Sequence, residues 1–290
     1  MLIYDIILLG DNMEIIKAIL FGIIEGITEW LPISSTGHMI LLNDFINLNV
    51  SENFYKLFEV VIQLGAIMAV VILFFKEIFP WGFNKTKTDT KNTFNLWGKI
   101  LVACLPAAII GLLFDDWLDE HLYNSIVVSM MLIIYGVIFL VIERNKMKQA
   151  TTNEVTSITY KQALMIGVFQ LLSLVPGTSR SGATIIGGLL IGLKRSVAAE
   201  FTFFLAIPVM AGASLLKLIK YIKDVGFVFS SNELMILGVG CLVAFVVSIL
   251  VIKFLLSYIK KHDFQVFGYY RIVLGLIVLG YFITKTLMFN

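Results

Sequence analysis

The sequence predicts an all-α integral membrane protein built as an inverted-topology repeat, each half one re-entrant helical hairpin plus three transmembrane helices. Three observations predict it. The chain has 290 residues, 59% of them hydrophobic and only 14% charged, with a mean hydropathy of +0.92. A soluble domain is about 45–50% apolar and about 25% charged, so the hydrocarbon of a bilayer is the expected solvent. Two apolar regions are interrupted at a proline by clustered hydroxyls, and the pieces beyond are too short to span. Finally, the two halves echo each other in sequence.

Six apolar runs approach the length needed to cross about 30 Å of hydrocarbon, which takes roughly 20 helical residues. They cover 57–75, 99–114, 125–142, 201–219, 234–256 and 268–284, the second being short. The two interrupted regions are different. Residues 13–31 run into Pro32 and the polar Ser34, Ser35 and Thr36, then resume over 38–47. Residues 160–175 run into Pro176 and "GTSRSG", then resume over 183–193. About a dozen helical residues reach only about 18 Å, so each region reads as a hairpin that enters the bilayer and returns. Irregular backbone at that depth is tolerated where it is buried in protein or lines a wet cavity.

The repeat supplies the inversion. Gly22 and Glu25 match Gly167 and Gln170 at an offset of 145, as Gly37 matches Gly182. Pro32 and Ser35 match Pro176 and Ser179 at 144, Glu59 matches Glu200 at 141, and Cys104 matches Cys241 at 137. The chain thus reads as one membrane domain over 1–290, with repeat 1 at about 13–144 and repeat 2 at about 160–287. A hairpin plus three spans is an odd number of crossings, so the halves have opposite orientation. Transporters use this plan, with the functional site at the midplane where broken helices meet.

Charge orients the chain. Lys76, Lys85, Lys87, Lys91, Lys99, Arg144, Lys146, Lys148, Lys161, Lys194, Arg195, Lys253, Lys260, Lys261 and Arg271 account for 15 of the 22 basic residues and are assigned to the cytoplasm. The acidic "DDWLDEH" is assigned to an outer loop. Both termini then lie outside, and the first hairpin enters from outside. The N-terminus lacks the basic n-region and small-residue cleavage site of a signal peptide. No basic stripe of the kind that binds nucleic acid is present. Cys104 and Cys241 lie in apolar runs and read as small buried hydrophobes.

The chemistry concentrates in the two interruptions, "EGITEWLPISSTGH" and "PGTSRSGAT". Glu25 and Glu29 are four apart and share a helix face. Such a pair either holds a divalent cation or works as acid and base; a helix-end role at a wet interface is the plain alternative. Ser34, Ser35 and Thr36 precede a helix, where hydroxyls serve as caps, as anion donors, or as a nucleophile. His38, three residues beyond Ser35, is placed to take a serine proton or to bond a backbone carbonyl. Arg180 sits in the second break, far from any flanking basic cluster, and its fork matches phosphate oxygens. Around it Gly177, Thr178, Ser179, Ser181 and Thr184 supply further groups suited to phosphate. His121 and His262 are assigned to loops. Two acids, hydroxyls, a histidine and an arginine at two helix starts suit a phosphate ester or anhydride on a lipid.

These two motifs closely resemble the signatures of the undecaprenyl-diphosphate phosphatase, or bacitracin-resistance, family. "FEVVIQLGAI" and "EFTFFLAIPVMAGA" resemble the segments that follow them there, so the resemblance covers essentially the whole chain. It implies a bacterial inner-membrane enzyme that hydrolyses undecaprenyl diphosphate to the monophosphate and phosphate, recycling the lipid carrier of cell-wall polymer synthesis and giving bacitracin resistance. It places functional residues at Glu25, Glu29, Ser35, His38, Ser179, Arg180 and Thr184, with dependence on a divalent cation such as Mg2+ or Ca2+. It also implies a site opening to the periplasmic side. Gln170 stands where the first half has Glu25, so only the first half offers the carboxylate pair. The expected partners are an isoprenyl diphosphate lipid, the bilayer and a second copy in a homodimer, with no nucleic acid. The mechanism expected is attack by Ser35, activated by His38 or Glu29, with direct water attack as the variant. A second class of function, a secondary transporter or flippase for an anionic lipid or small anion, fits the inverted repeat equally well.

Overall fold

The computed structural model describes residues 2–82, 85–145 and 150–289, with the side chains of 2–12, 115, 116, 119 and 289 also outside the description. No β-strand occurs among the described residues; Thr152 and Leu193 form one isolated bridge. Helix α1 (Leu2–Thr28) leads through a turn into the short α2 (Ser35–Ile46), then α3 (Glu52–Leu73), the single turn α4 (Phe75–Ile78), α5 (Lys87–Leu122) and α6 (Ser125–Arg144). The remainder follows as α7 (Tyr160–Gln170), α8 (Arg180–Leu190), α9 (Arg195–Val225), α10 (Ser231–Tyr258) and α11 (Gln265–Phe289).

Among the described residues, six helices are long and apolar enough to cross a membrane: Glu52–Leu73, Lys87–Phe114, Ser125–Arg144, Arg195–Val225, Ser231–Tyr258 and Gln265–Met288. Each contains one of the predicted apolar runs, apart from a residue or two at the ends. The one the sequence predicts to be short is the longest. Helix α5 has 36 residues, so Lys87, Lys91 and Lys99 lie on it, as does the acidic segment assigned to a loop. The reason is local: Thr86 and Asp89 form a capping box that starts the helix well before the apolar run begins. His121 accordingly sits in its last turn, while His262 is in the turn after α10. Lys146 lies outside the described residues, as does the side chain of Asp116.

Helices α2 and α8, with 12 and 11 residues, are too short to cross. Helix α2 packs against α1 and α6, whereas α8 packs against α7 and α9. Every residue of α8 from Ser181 to Leu189 is buried, so a helix that begins on arginine and serine lies inside the protein. Its Ile185 and Ile186 belong to the main core, with Trp30, Phe201, Phe203, Phe204 and Leu205. Long helices cross closely at glycine: a Cβ on Gly65 of α3 would lie 2.1 Å from the Cys241 carbonyl oxygen of α10. Cys104 and Cys241 are free thiols, and Cys241 donates to the Val61 carbonyl.

Candidate active site

The two helix breaks meet, and Glu29 is where they join. It is the first residue beyond α1, its side chain only 8% exposed. Its Oε1 accepts from Arg180 Nη2 at 3.0 Å, and its Oε2 accepts from Ser35 Oγ at 2.8 Å. Arg180 opens α8, so this line of three side chains spans both breaks. Arg180 Nη1 also donates to the Thr202 carbonyl at 2.8 Å, and the guanidinium lies 6.0 Å from the Trp30 ring centre. Two guanidinium nitrogens thus hold the protein, and Nε is buried without a partner.

Backbone bonds hold the breaks against each other. Ser181 Oγ lies 3.1 Å from the Glu29 carbonyl oxygen and 3.3 Å from that of Leu31. Arg271 of α11 donates to the carbonyls of Pro32, Gly177 and Thr178 at 3.1, 2.8 and 2.8 Å. This arginine, assigned by charge pattern to the cytoplasmic flank, is fully buried, with Tyr135's ring 5.5 Å away. The positive-inside pattern counts charges near span ends and does not distinguish a flank from the first turns inside. The available signal was its place six residues into the last helix, followed by an apolar run.

Ser34 and Ser179 are the two non-glycine residues with positive φ among the described residues, at 72° and 73°. Each is the N-cap of its short helix, and they stand 145 residues apart. In N-cap position and backbone geometry Ser34, not Ser35, matches Ser179, as Ser35 and Arg180 both open their helices. Such strained backbone costs about 1–3 kcal/mol and persists where surroundings over-determine it. The two caps differ. Ser179 Oγ accepts from the Gly182 N–H, whereas Ser34 makes no side-chain cap and its Oγ is buried unpartnered. The first turn of α2, which carries Ser35, is the N-terminus without a side-chain cap and so the better anion seat.

The other expected residues divide. His38 does not pair with Ser35: its Nδ1 lies 2.7 Å from the Ser34 carbonyl and its Nε2 2.7 Å from the Tyr270 hydroxyl. A carbonyl only accepts, so Nδ1 carries a proton, and in the neutral ring Nε2 accepts from Tyr270. Helical spacing allowed either partner, and the ring meets the carbonyl of the residue four before it. Gly177 is needed as glycine, since its φ is +89° and a Cβ would lie 2.5 Å from the Val128 carbonyl oxygen. The Thr184 hydroxyl is used inside the fold, bonded to the Arg180 carbonyl and to Thr202 Oγ1. Thr178 Oγ1 is buried and unpartnered, and Thr36 is half-buried.

Glu25, one turn before Glu29, is 1% exposed and its Oε1 has no partner; its charged neighbours are Glu29, Glu59 and Arg180. No group of three or more His, Cys, Asp or Glu suited to a metal occurs among the described residues. A pair of carboxylates with one free oxygen nonetheless suits a hard cation that keeps waters and takes further oxygens from a phosphate substrate. Buried polar atoms without partners, each costly to a fold, concentrate in the two breaks and the residues flanking or clamping them: Glu25 Oε1, Trp30 Nε1, Ser34 Oγ, Gln170 Nε2 and Oε1, Thr178 Oγ1, Arg180 Nε and Arg271 Nε.

The architecture and this site define a multi-pass helical membrane protein with a buried arginine–glutamate–serine centre suited to phosphoryl chemistry. Over residues 18–277 the chain matches the family described as bacitracin resistance protein BacA, and it belongs to that family. It is 63% identical over 272 residues to an undecaprenyl-diphosphatase of Enterococcus faecalis, covering 93% of this chain and 97% of that protein. It is 59% identical to the undecaprenyl-diphosphatase of Acetivibrio thermocellus, over 93% of this chain and 98% of that one. The enzyme of the same name from Desulfitobacterium hafniense is 58% identical over 95% of this chain and 99% of its own.

Proposed function

We propose that this protein hydrolyses undecaprenyl diphosphate to undecaprenyl phosphate and inorganic phosphate, recycling the lipid carrier of the bacterial cell wall and thereby giving resistance to bacitracin. The observation that carries the chemistry is the Ser35–Glu29–Arg180 line across the two breaks. The relatives' shared name supplies the substrate.

In the reaction, the diphosphate lies at the N-terminus of α2 with Arg180 beside it. Developing negative charge is met by the guanidinium and by backbone N–H groups already in place. Glu29 takes the proton of Ser35 as Oγ bonds to the terminal phosphorus. The bond from that phosphorus to the bridging oxygen breaks, and the prenyl monophosphate leaves. Glu29 passes the serine proton to the departing monophosphate. Water then attacks the phosphoserine phosphorus, giving a proton to Glu29, which returns it to Ser35 Oγ as the P–Oγ bond breaks and phosphate leaves. Glu29 rather than His38 is the base because only Glu29 touches Ser35. Direct attack by water activated at Glu29 is the variant in which Ser35 merely binds. Glu25 and Glu29 would hold the divalent cation, Mg2+ or Ca2+, which when bound neutralises part of the diphosphate charge.

The breaks are read as tips of re-entrant hairpins in inverted repeats spanning about 13–144 and 160–287. Matching N-caps of the same unusual φ support this. The charge pattern places both termini outside and the site open to the periplasmic side, in a chain of the inner membrane that assembles as a homodimer and binds no nucleic acid. Purified protein in detergent encloses no compartment. Release of phosphate from a prenyl diphosphate there, with a divalent cation added, is the expected result. A pure transporter or flippase would release none.

A further inference from the structure

Gln170 closes α7, in the place where the first half of the chain has Glu25. It is 1% exposed, yet neither Nε2 nor Oε1 has a hydrogen-bond partner. A wholly unpartnered amide is among the costlier things a fold can bury, and an apolar side chain of the same size would remove the cost. Its backbone is not the reason for its presence: the carbonyl is used by Ser173 Oγ at 2.7 Å, which any residue would permit. Gln170 is the last residue before the second break, which ends at Arg180. Just before it, α7 packs tightly on α5: a Cβ on Gly167 would touch the Ala103 backbone. Thr178 Oγ1 and Arg180 Nε, both further along the same break, are buried and partnerless as well.

We propose that Gln170 is a substrate-binding residue, its amide N–H donating to a non-bridging oxygen of the lipid diphosphate. This rests on the hydrolase reading above. A neutral donor is the right group here. Glu25 provides negative charge for a cation, and a second carboxylate at 170 would face the same anion with the wrong sign. The division of labour between the matching positions is thus a carboxylate for the metal side and an amide for the phosphate side.

The test is Q170L, with Q170M as a second apolar replacement and Q170E as the charged one. Thermal unfolding, prenyl-diphosphate binding by ligand-induced stabilisation, and phosphate release are measured in detergent. A hydrogen bond to a charged group predicts a KM and a binding constant weakened about ten- to a hundredfold in Q170L and Q170M, more in Q170E, while unliganded Q170L and Q170M melt at or above the wild-type temperature. Unchanged binding and KM in a folded apolar variant would overturn the assignment, as would a lower melting temperature in both, which marks a structural amide. The binding arm needs no turnover, so a wild-type protein that binds but releases no phosphate would sink the hydrolase reading and leave the Gln170 comparison standing.

Discussion

Replacing Glu29 by Gln tests the centre of the mechanism with almost no change of shape. In the native site two charge-assisted hydrogen bonds converge on this carboxylate, from Arg180 at 3.0 Å and Ser35 at 2.8 Å, and the side chains of the ion pair are about nine-tenths buried. The amide keeps one acceptor for Arg180 and can only donate to Ser35 Oγ, so the charge opposite the guanidinium is lost and the serine proton loses its acceptor. The folded state should lose about 1.5–3 kcal/mol, less than the roughly 3–5 kcal/mol for stripping a buried charge of its partner altogether. The rate should fall further. Without the carboxylate nothing in contact with Ser35 can take its proton, and general-base help is worth about 100- to 10,000-fold. The assay is phosphate release from a prenyl diphosphate in detergent, at a temperature where unfolding curves show the variant folded. Because Glu29 and Ser35 act as a unit, the double variant E29Q/S35A should be no slower than S35A alone, within about threefold. A folded E29Q retaining more than about a tenth of the wild-type rate would refute Glu29 as the base.

S35A should abolish hydrolysis, and a rate above about a hundredth of wild type would replace covalent attack by the water variant. S34A, by contrast, should leave stability nearly unchanged, because Ser34 Oγ makes no capping bond to lose. A loss of the usual 1 kcal/mol or so of a cap in chemical denaturation would contradict that geometry. R180K should remain folded but turn over at least about a hundredfold more slowly, since lysine cannot serve Glu29, the Thr202 carbonyl and a phosphate oxygen at once; near-normal turnover would make Arg180 structural. For the orientation, K87C should resist a membrane-impermeant thiol reagent in intact cells while N124C, at the exposed turn before α6, should react; the reverse pattern would turn the site toward the cytoplasm.

Much of this protein is legible in the sequence because its two strongest signals are local. An apolar run of membrane length is a span wherever it is placed, and all six predicted runs are long helices. A proline followed by clustered hydroxyls must break a helix, and it does so at both predicted places. Glu25, Glu29 and Arg180 stand out by depth and residue type, since an ionisable group inside a membrane protein is costly and needs a reason. Ser35, by contrast, is set apart from Ser34 and Thr36 only by the repeat match and the family resemblance. Where the local signal is neutral, the structure departs from expectation. The start of α5 depends on a capping box outside the apolar run, so it was placed too late. Serine matches at 144 and 145 residues are equally good in sequence, and only φ separates Ser34 from Ser35 as the partner of Ser179.

What the sequence alone determined, then, is the membrane class, the spans, the two breaks and the residue types gathered in them. What the tertiary structure decided is who bonds to whom. It joined Glu29 to Ser35 rather than leaving that serine to His38, handed His38 to Tyr270, and drew Arg271 from an assumed flank to the clamp on both breaks. The reason is physical. Burial of an apolar run depends on the run itself, but a hydrogen bond depends on a direction and a distance set by segments 150 or 240 residues away, such as the 151 between Glu29 and Arg180 or the 239 between Pro32 and Arg271. No periodicity in one segment encodes where another will place its donor.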